Sequence, residues 1–224
     1  MIPKHKSVVI NKCESKFIDE PFVNIAEYSN GLILVDMQYY KQGISGAIAT
    51  AYARKTIADM LIKAAHNLPE GLHLKILDAW RPINVQEHLF NIFYKKLKKE
   101  FAHLTDTELL EKTKQYVSVP NDIYLHGSGG AVDVTMTDDQ GNDVNMGTLF
   151  DDISDKAHTD YFENRYNIKI IFNRRILYKA MTDAGFVNNP NEWWHYDYGD
   201  ALWATITNNH IKYRSIKRKD DFNV

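Results

Sequence analysis

The order of strands and helices in this 224-residue chain permits an α+β fold. Two apolar patterns carry that reading. Leu72, Leu74 and Ile76 alternate with polar residues as a half-buried strand does, and Ala131-Val132-Asp133-Val134-Thr135-Met136 reads as a second strand. Ile57, Leu61, Ala64, Ala65 and Leu68 recur at helical spacing over residues 51–68, as do Ile176, Leu177, Ala180, Met181 and Ala184 before Gly185. The chain has no linker, internal repeat or low-complexity segment, so residues 1–224 are expected to form a single domain. Residues 1–20 would be a polar arm packed on it and residues 208–224 a polar tail, solvated over 212–219.

Composition excludes several classes. With 44% hydrophobic residues the chain can bury a sizeable core. A formal charge of −2, with both signs interleaved, gives no reason to expect nucleic acid or an anionic membrane as partner. Cys13 is the only cysteine, which removes intrachain disulfides and cysteine-based metal sites, and the bulky Lys12 before it does not suit lipidation. The run Val8-Val9-Ile10 is shorter than the ~7–15 apolar residues of an export signal. No run approaches the ~18 apolar residues of a membrane span, so a soluble, cytoplasmic protein is expected.

Taken in order, Leu32-Ile33-Leu34-Val35 reads as a buried strand delivering Asp36, Tyr39 and Tyr40 to its end, and Gly43 and Gly46 mark a turn. Pro82 stops the strand of Leu72 and Ile76, leaving Arg81 at a strand end, a place where scaffolds display functional side chains. Asn84 with Glu87, and Thr105 with Glu108, have the spacing of capping boxes, opening one helix with Leu89, Phe90, Phe93 and Leu97 on a face and another through about Gln115. The polar stretch 137–141 predicts a hairpin running through Val144, and residues 146–151 a loop. Asn173 is expected to cap the helix closed by Gly185. The turn Asn188-Asn189-Pro190 precedes an aromatic strand over 193–198.

The chemistry concentrates in two stretches. His126-Gly-Ser-Gly-Gly-Ala-Val-Asp133 places an imidazole and a carboxylate seven positions apart across a Gly-rich turn, and Glu192-Trp193-Trp194-His195 offers a second pair. Two histidines and one carboxylate make a three-ligand Zn²⁺ site with an open position, the form of a catalytic zinc, and Glu192 is left over to act as base. Singly, each residue has a plainer reading: His126 as a turn residue, Asp133 at a strand edge, Glu192 as a surface residue beside a core His195. Asp133 tips the balance toward metal, because it sits between Val132 and Val134 in a buried run, where an unpaired carboxylate is costly. Glu192 and His195 would point to opposite faces of a regular strand, so Glu192 belongs to the preceding turn if both serve one centre.

Arg81-Pro82 after a strand, His126 with Asp133, and Glu192-Trp193-Trp194-His195 together resemble the zinc-dependent D-alanyl-D-alanine dipeptidases of the VanX type. Met146-Gly147-Thr148-Leu149-Phe150-Asp151, Asn173-Arg174-Arg175 and Gly185-Phe186 resemble that family's connecting segments. The resemblance implies a small, mainly antiparallel sheet with packed helices, of the hedgehog and DD-peptidase kind. It also implies one Zn²⁺ per chain on His126, Asp133 and His195, Glu192 as general acid/base, Arg81 on the oxyanion, and Asp151 as receptor for the ammonium of a small D,D-dipeptide. Tyr124 stands where the family has Ser, and Trp80 where it has Tyr; both are expected to line the substrate pocket. A zinc D,D- or L,D-carboxypeptidase acting on larger cell-wall peptides, or a non-catalytic zinc-binding interaction domain, are the alternatives. Neither pattern nor resemblance sets the oligomeric state.

Overall fold

The computed structural model describes every residue except 5, 7, 11, 12, 115, 116, 118, 121–123, 166, 223 and 224. Its elements follow as β1 (Phe22–Asn24), α1 (Ile25–Tyr28), β2 (Leu34–Val35), α2 (Gln38–Lys41), β3 (Tyr52–Arg54), α3 (Lys55–His66), β4 (Leu72–Asp78), α4 (Ile83–Glu100) and α5 (Asp106–Thr113), then β5 (Ala131–Asp138), α6 (Ile168–Ala184), β6 (Val187–Asn188), β7 (His195–Asp197) and α7 (Ala201–Thr207). Five strands make one sheet in the order β2-β4-β5-β7-β6, parallel only at β2–β4. β1 and β3 form a separate antiparallel pair. This is an α+β architecture.

The core explains the strand assignments. Leu74, Ile76, Val132, Val134 and Met136 of the central strands pack with Ile57, Leu61 and Ala64 of α3 and Leu177 and Met181 of α6, all buried. Each of the larger of these side chains is worth about 1.5–3 kcal/mol of apolar burial. α6 ends at Gly185, whose φ of 115° only glycine adopts without strain.

Several sequence expectations need correction. The run at 32–35 is not a buried strand: only Leu34 and Val35 pair, at the sheet edge, and Leu32 and Leu34 are exposed while Ile33 alone is buried. The helix expected from residue 51 starts at Lys55, because 52–54 pair with β1. Asn84 does not cap α4; Pro82, already extended, occupies that position without a side-chain cap. Asn173 lies inside α6, which begins at Ile168 under an Asn167 cap. The Thr105–Glu108 capping box is present, and the helix it opens closes at Thr113; Gln115 is outside the described residues. The chain after β5 does double back as a hairpin through Val144, whose N–H donates to the Met136 carbonyl at 2.9 Å, but its return side makes only an isolated bridge, Thr137 to Asp143. The aromatic strand shrinks to His195–Asp197.

The tail expected to be solvated over 212–219 is exposed at Arg214 and at 217–219 but docked elsewhere. Ile211 and Tyr213 are buried, and the Ile216 carbonyl accepts hydrogen bonds from Trp80 Nε1 (2.9 Å) and the Tyr124 hydroxyl (3.2 Å). The apolar residues interleaved with the lysines are what dock this segment. The amino-terminal arm lies beside it, with Ser15 bridged to Ile211 and Lys16 N–H donating to the Ile211 carbonyl. Among the described residues, no helix is long and apolar enough to cross a membrane.

Candidate metal centre and active site

Antiparallel pairing builds the centre in one row. Asp78 of β4 stands opposite Asp133 of β5, and Asp133 stands opposite His195 of β7. Directly opposed residues on neighbouring strands have side chains within contact of one another. The register slips between Ile76 and Asp78, a bulge of the kind that re-aims a side chain. His126 joins the row from a 3₁₀ turn, His126–Ser128, whose path back into β5 needs two glycines. Gly129 has φ 71°, and a Cβ at Gly130 would lie 2.3 Å from the Tyr198 carbonyl oxygen.

The donor atoms of His126, Asp133 and His195 all lie within 4.8 Å of one another, and the three residues are buried. His126 Nδ1–H donates to the Ala79 carbonyl at 2.8 Å, which leaves Nε2 facing Asp133 Oδ2 at 3.4 Å. His195 Nε2–H donates to Asp197 Oδ1 at 2.9 Å, and Nδ1 lies 2.9 Å from Asp133 Oδ1. Each imidazole thus has its far nitrogen anchored and its near nitrogen turned to the shared carboxylate, the outer-shell arrangement that orients metal-binding histidines. Burial opposes it, but the two imidazoles hold Asp133 well below the usual carboxylate range. His195 is likewise lifted far above the ordinary histidine value, against the burial penalty, by Asp197 and Asp133. Two nitrogens and one carboxylate in a buried cluster fit a divalent metal of the Zn²⁺ kind.

Glu192 sits in the turn before β7, not in the strand, and its Oε2 is 3.7 Å from His195 Nδ1. Its side chain is 26% exposed against 3% for Asp133, so it opens toward solvent where the donors do not. Burial pushes it up to about 7; the charges of Asp133 and Asp151 add to this, and His195 opposes it. A base poised near neutrality suits proton transfer.

Arg81 is buried and held on two sides. Nε and Nη2 donate to Asp78 Oδ2 (2.8 and 2.7 Å), and Nη1 donates to Gln86 Oε1 (2.7 Å). The planar fork still has N–H donors on both terminal nitrogens, and Nη2 is 3.8 Å from Asp133 Oδ2. Its guanidinium also lies 4.7 Å from the centre of the Tyr39 ring. Tyr39 in turn donates its hydroxyl to Asp151 Oδ1 at 3.1 Å. Asp151 adopts φ 61°, unusual for a residue other than glycine. Burial, then the charge of Asp133, pushes its carboxyl up to about 7.

Tyr124 is not placed as a pocket wall, whereas Trp80 is, lining a small pocket beside Arg81. Tyr124 is buried, packs under Gly127, where a Cβ would lie 2.1 Å from its ring, and donates its hydroxyl to the Arg81 carbonyl at 3.0 Å. Trp80 is buried against Phe22 and Phe222. The residues that sequence reasoning missed are Asp197, Asp78, Gln86 and the Tyr39–Asp151 pairing. The small pocket beside Arg81 is also lined by Met37, Tyr39, Ala47, Ile48 and Val85. A larger cavity of about 170 Å³, between the amino-terminal arm and α6, touches none of these groups.

An imidazole–carboxylate–imidazole cluster at a sheet end, with a free glutamate and a fixed arginine beside it, defines a candidate metallohydrolase centre. The Peptidase M15 family, described as D-ala-D-ala dipeptidase, matches residues 37–216, and the chain belongs to that family. It is similar to the D-alanyl-D-alanine dipeptidase of Synechocystis sp., 31% identical over 172 residues that cover 68% of this chain and 66% of the relative. The D-alanyl-D-alanine dipeptidases of Escherichia coli and Enterococcus faecium are each 30% identical, over 58% and 62% of this chain and 58% and 69% of their own lengths. The chain therefore spans less than two thirds of the length of the first two relatives, 66% and 58%.

Proposed function

We propose that the protein is a zinc metallopeptidase that hydrolyses D-alanyl-D-alanine or closely related free D,D-dipeptides, with residues 1–224 acting as one domain. The observation that carries the reading is a buried two-imidazole, one-carboxylate donor set with the half-open Glu192 at its edge. His126 Nε2, the Asp133 carboxylate and His195 Nδ1 would hold the metal. A bound Zn²⁺ supplies Lewis acidity and makes water easier to ionise near neutral pH.

The remaining roles fall to the chain's own groups. Glu192 takes a proton from the attacking water and hands it to the leaving amine nitrogen. Arg81, locked by Asp78 and Gln86, turns its remaining N–H donors to the charge that develops on the scissile carbonyl oxygen. Asp151, oriented by Tyr39, receives the substrate's α-ammonium. An acylated nitrogen would leave that carboxylate without its partner, a penalty on the order of a few kcal/mol.

The test compares D-Ala release by the zinc-loaded protein from D-Ala-D-Ala, its N-acetyl derivative and a longer stem peptide. The free dipeptide is expected to be favoured by about a hundredfold or more in kcat/KM, a factor of ten for each ~1.4 kcal/mol. Comparable values for blocked and free substrates would refute the dipeptidase reading in favour of a carboxypeptidase. No release from any of them would leave a non-catalytic zinc domain.

A further inference from the structure

The roles above make no use of Arg174, yet it is 2% exposed and its hydrogen bonds go to backbone carbonyls. Nε donates to Met146 O at 2.8 Å, Nη2 to Lys156 O at 2.7 Å and Nη1 to His158 O at 2.5 Å. Its guanidinium also lies 4.8 Å from the centre of the Phe162 ring and 5.8 Å from that of Trp193. The residue before it, Asn173, donates Nδ2 to Asn145 O at 2.8 Å.

Two adjacent residues of α6 thus grip successive carbonyls in the loop that carries Asp151. The other side of the Arg174 fork grips the segment around Ala157, whose carbonyl accepts the N–H of Trp193, next to Glu192. Asp151 has φ 61°, and a non-glycine residue stays there only when its surroundings dictate it. A planar guanidinium can bond three divergent carbonyls at once, while an ammonium on a flexible stem is a point charge without that geometry.

We infer that Arg174 is a positioning residue: by pinning the carbonyls of Met146, Lys156 and His158 to α6, it holds Asp151 in its left-handed conformation beside the Glu192 turn, and so sets the preference for a free α-amine. The kinetic half of this rests on the dipeptidase reading; the structural half does not.

The test is Arg174→Lys, read by zinc content, by amide hydrogen exchange over residues 145–151 and 126–136, and by kcat and KM for D-Ala-D-Ala and its N-acetyl derivative. Exchange over 145–151 should quicken by about tenfold or more, as a local opening does, while 126–136 stays protected. Zinc content should not change. The preference for the free amine should fall at least fivefold, mainly through a higher KM for D-Ala-D-Ala. Unchanged protection over 145–151, or a preference kept while both substrates slow together, overturns the inference. If Arg174→Lys does not fold, Arg174→Gln is read in the same way, and failure of both to fold makes Arg174 a residue of global stability and overturns the inference. If the unaltered protein cleaves neither substrate, the dipeptidase reading fails, and the exchange comparison still decides the role of Arg174.

Discussion

The strand-borne half of the centre and its loop-borne half are built on different principles. Asp78, Asp133 and His195 are cross-strand neighbours in a sheet, and each imidazole has its second nitrogen tied down, His126 to a carbonyl and His195 to Asp197. Glu192 and Asp151 stand on turns, keep part of their side chains exposed, and are pushed up to about 7 by burial and neighbouring carboxylates, which His195 and Arg81 only partly offset. Under the proposed roles, the difference teaches that rigidity goes to holding a cation and accessibility to moving a proton and receiving a substrate. Carboxylates of the same chemistry thus take separate tasks from their environment alone.

The sharpest way to break the comparison is to take one residue from each half. Asp133→Ala should bring bound zinc, measured by elemental analysis, from about one per chain to near none and abolish turnover, since it removes one of three donors. Glu192→Ala should keep the zinc and lose about 10²–10⁴-fold in kcat, the range for a positioned acid/base. Loss of metal from the Glu192 variant would erase the division between the halves.

Asp197 sharpens the strand side. Asp197→Ala should weaken zinc affinity, measured by competition with a chelator, by about 10–100-fold while leaving the donor set complete. Unchanged affinity would mean that the Asp133 contact alone orients His195.

The smallest effect concerns pH. In protein stripped of metal by a chelator, Asp151 and Glu192 hold their protons to about 7, whereas in the unfolded chain they lose them near the ordinary carboxylate value. Between those limits the folded state binds more protons, so stability should fall as pH rises from about 5 to 7.5. Asp151→Asn should flatten that slope in thermal melts, and zinc should flatten it in the unaltered protein. A slope that the Asn variant keeps would place its origin elsewhere.

Much of the centre was legible because its chemistry is local in sequence: His126 and Asp133 flank one turn, and Glu192 and His195 are three apart. What stayed hidden has two sources: Asp197 lies two positions from His195 on the same face of β7 and has no motif to mark it, and Tyr39 meets Asp151 across 112 positions. Capping motifs were legible only where nothing competed. Thr105 and Glu108 made their box, but Asn84 was displaced by the neighbouring Pro82, and Asn173 was absorbed into a helix that tertiary packing extends backward to Asn167. The edge position of β2 followed from sheet order, which no local pattern encodes.

The docked carboxyl-terminal segment bears on how the chain can be engineered. Ile216 shares its carbonyl between Trp80 and Tyr124, and Tyr124 in turn supports the backbone of Arg81, while Phe222 stacks on Phe22 with ring centres 4.0 Å apart. Trimming the chain at Asn208, where composition suggests a dispensable end, would strip a wall from behind the arginine, whereas an affinity tag joined beyond Phe222 leaves that wall standing.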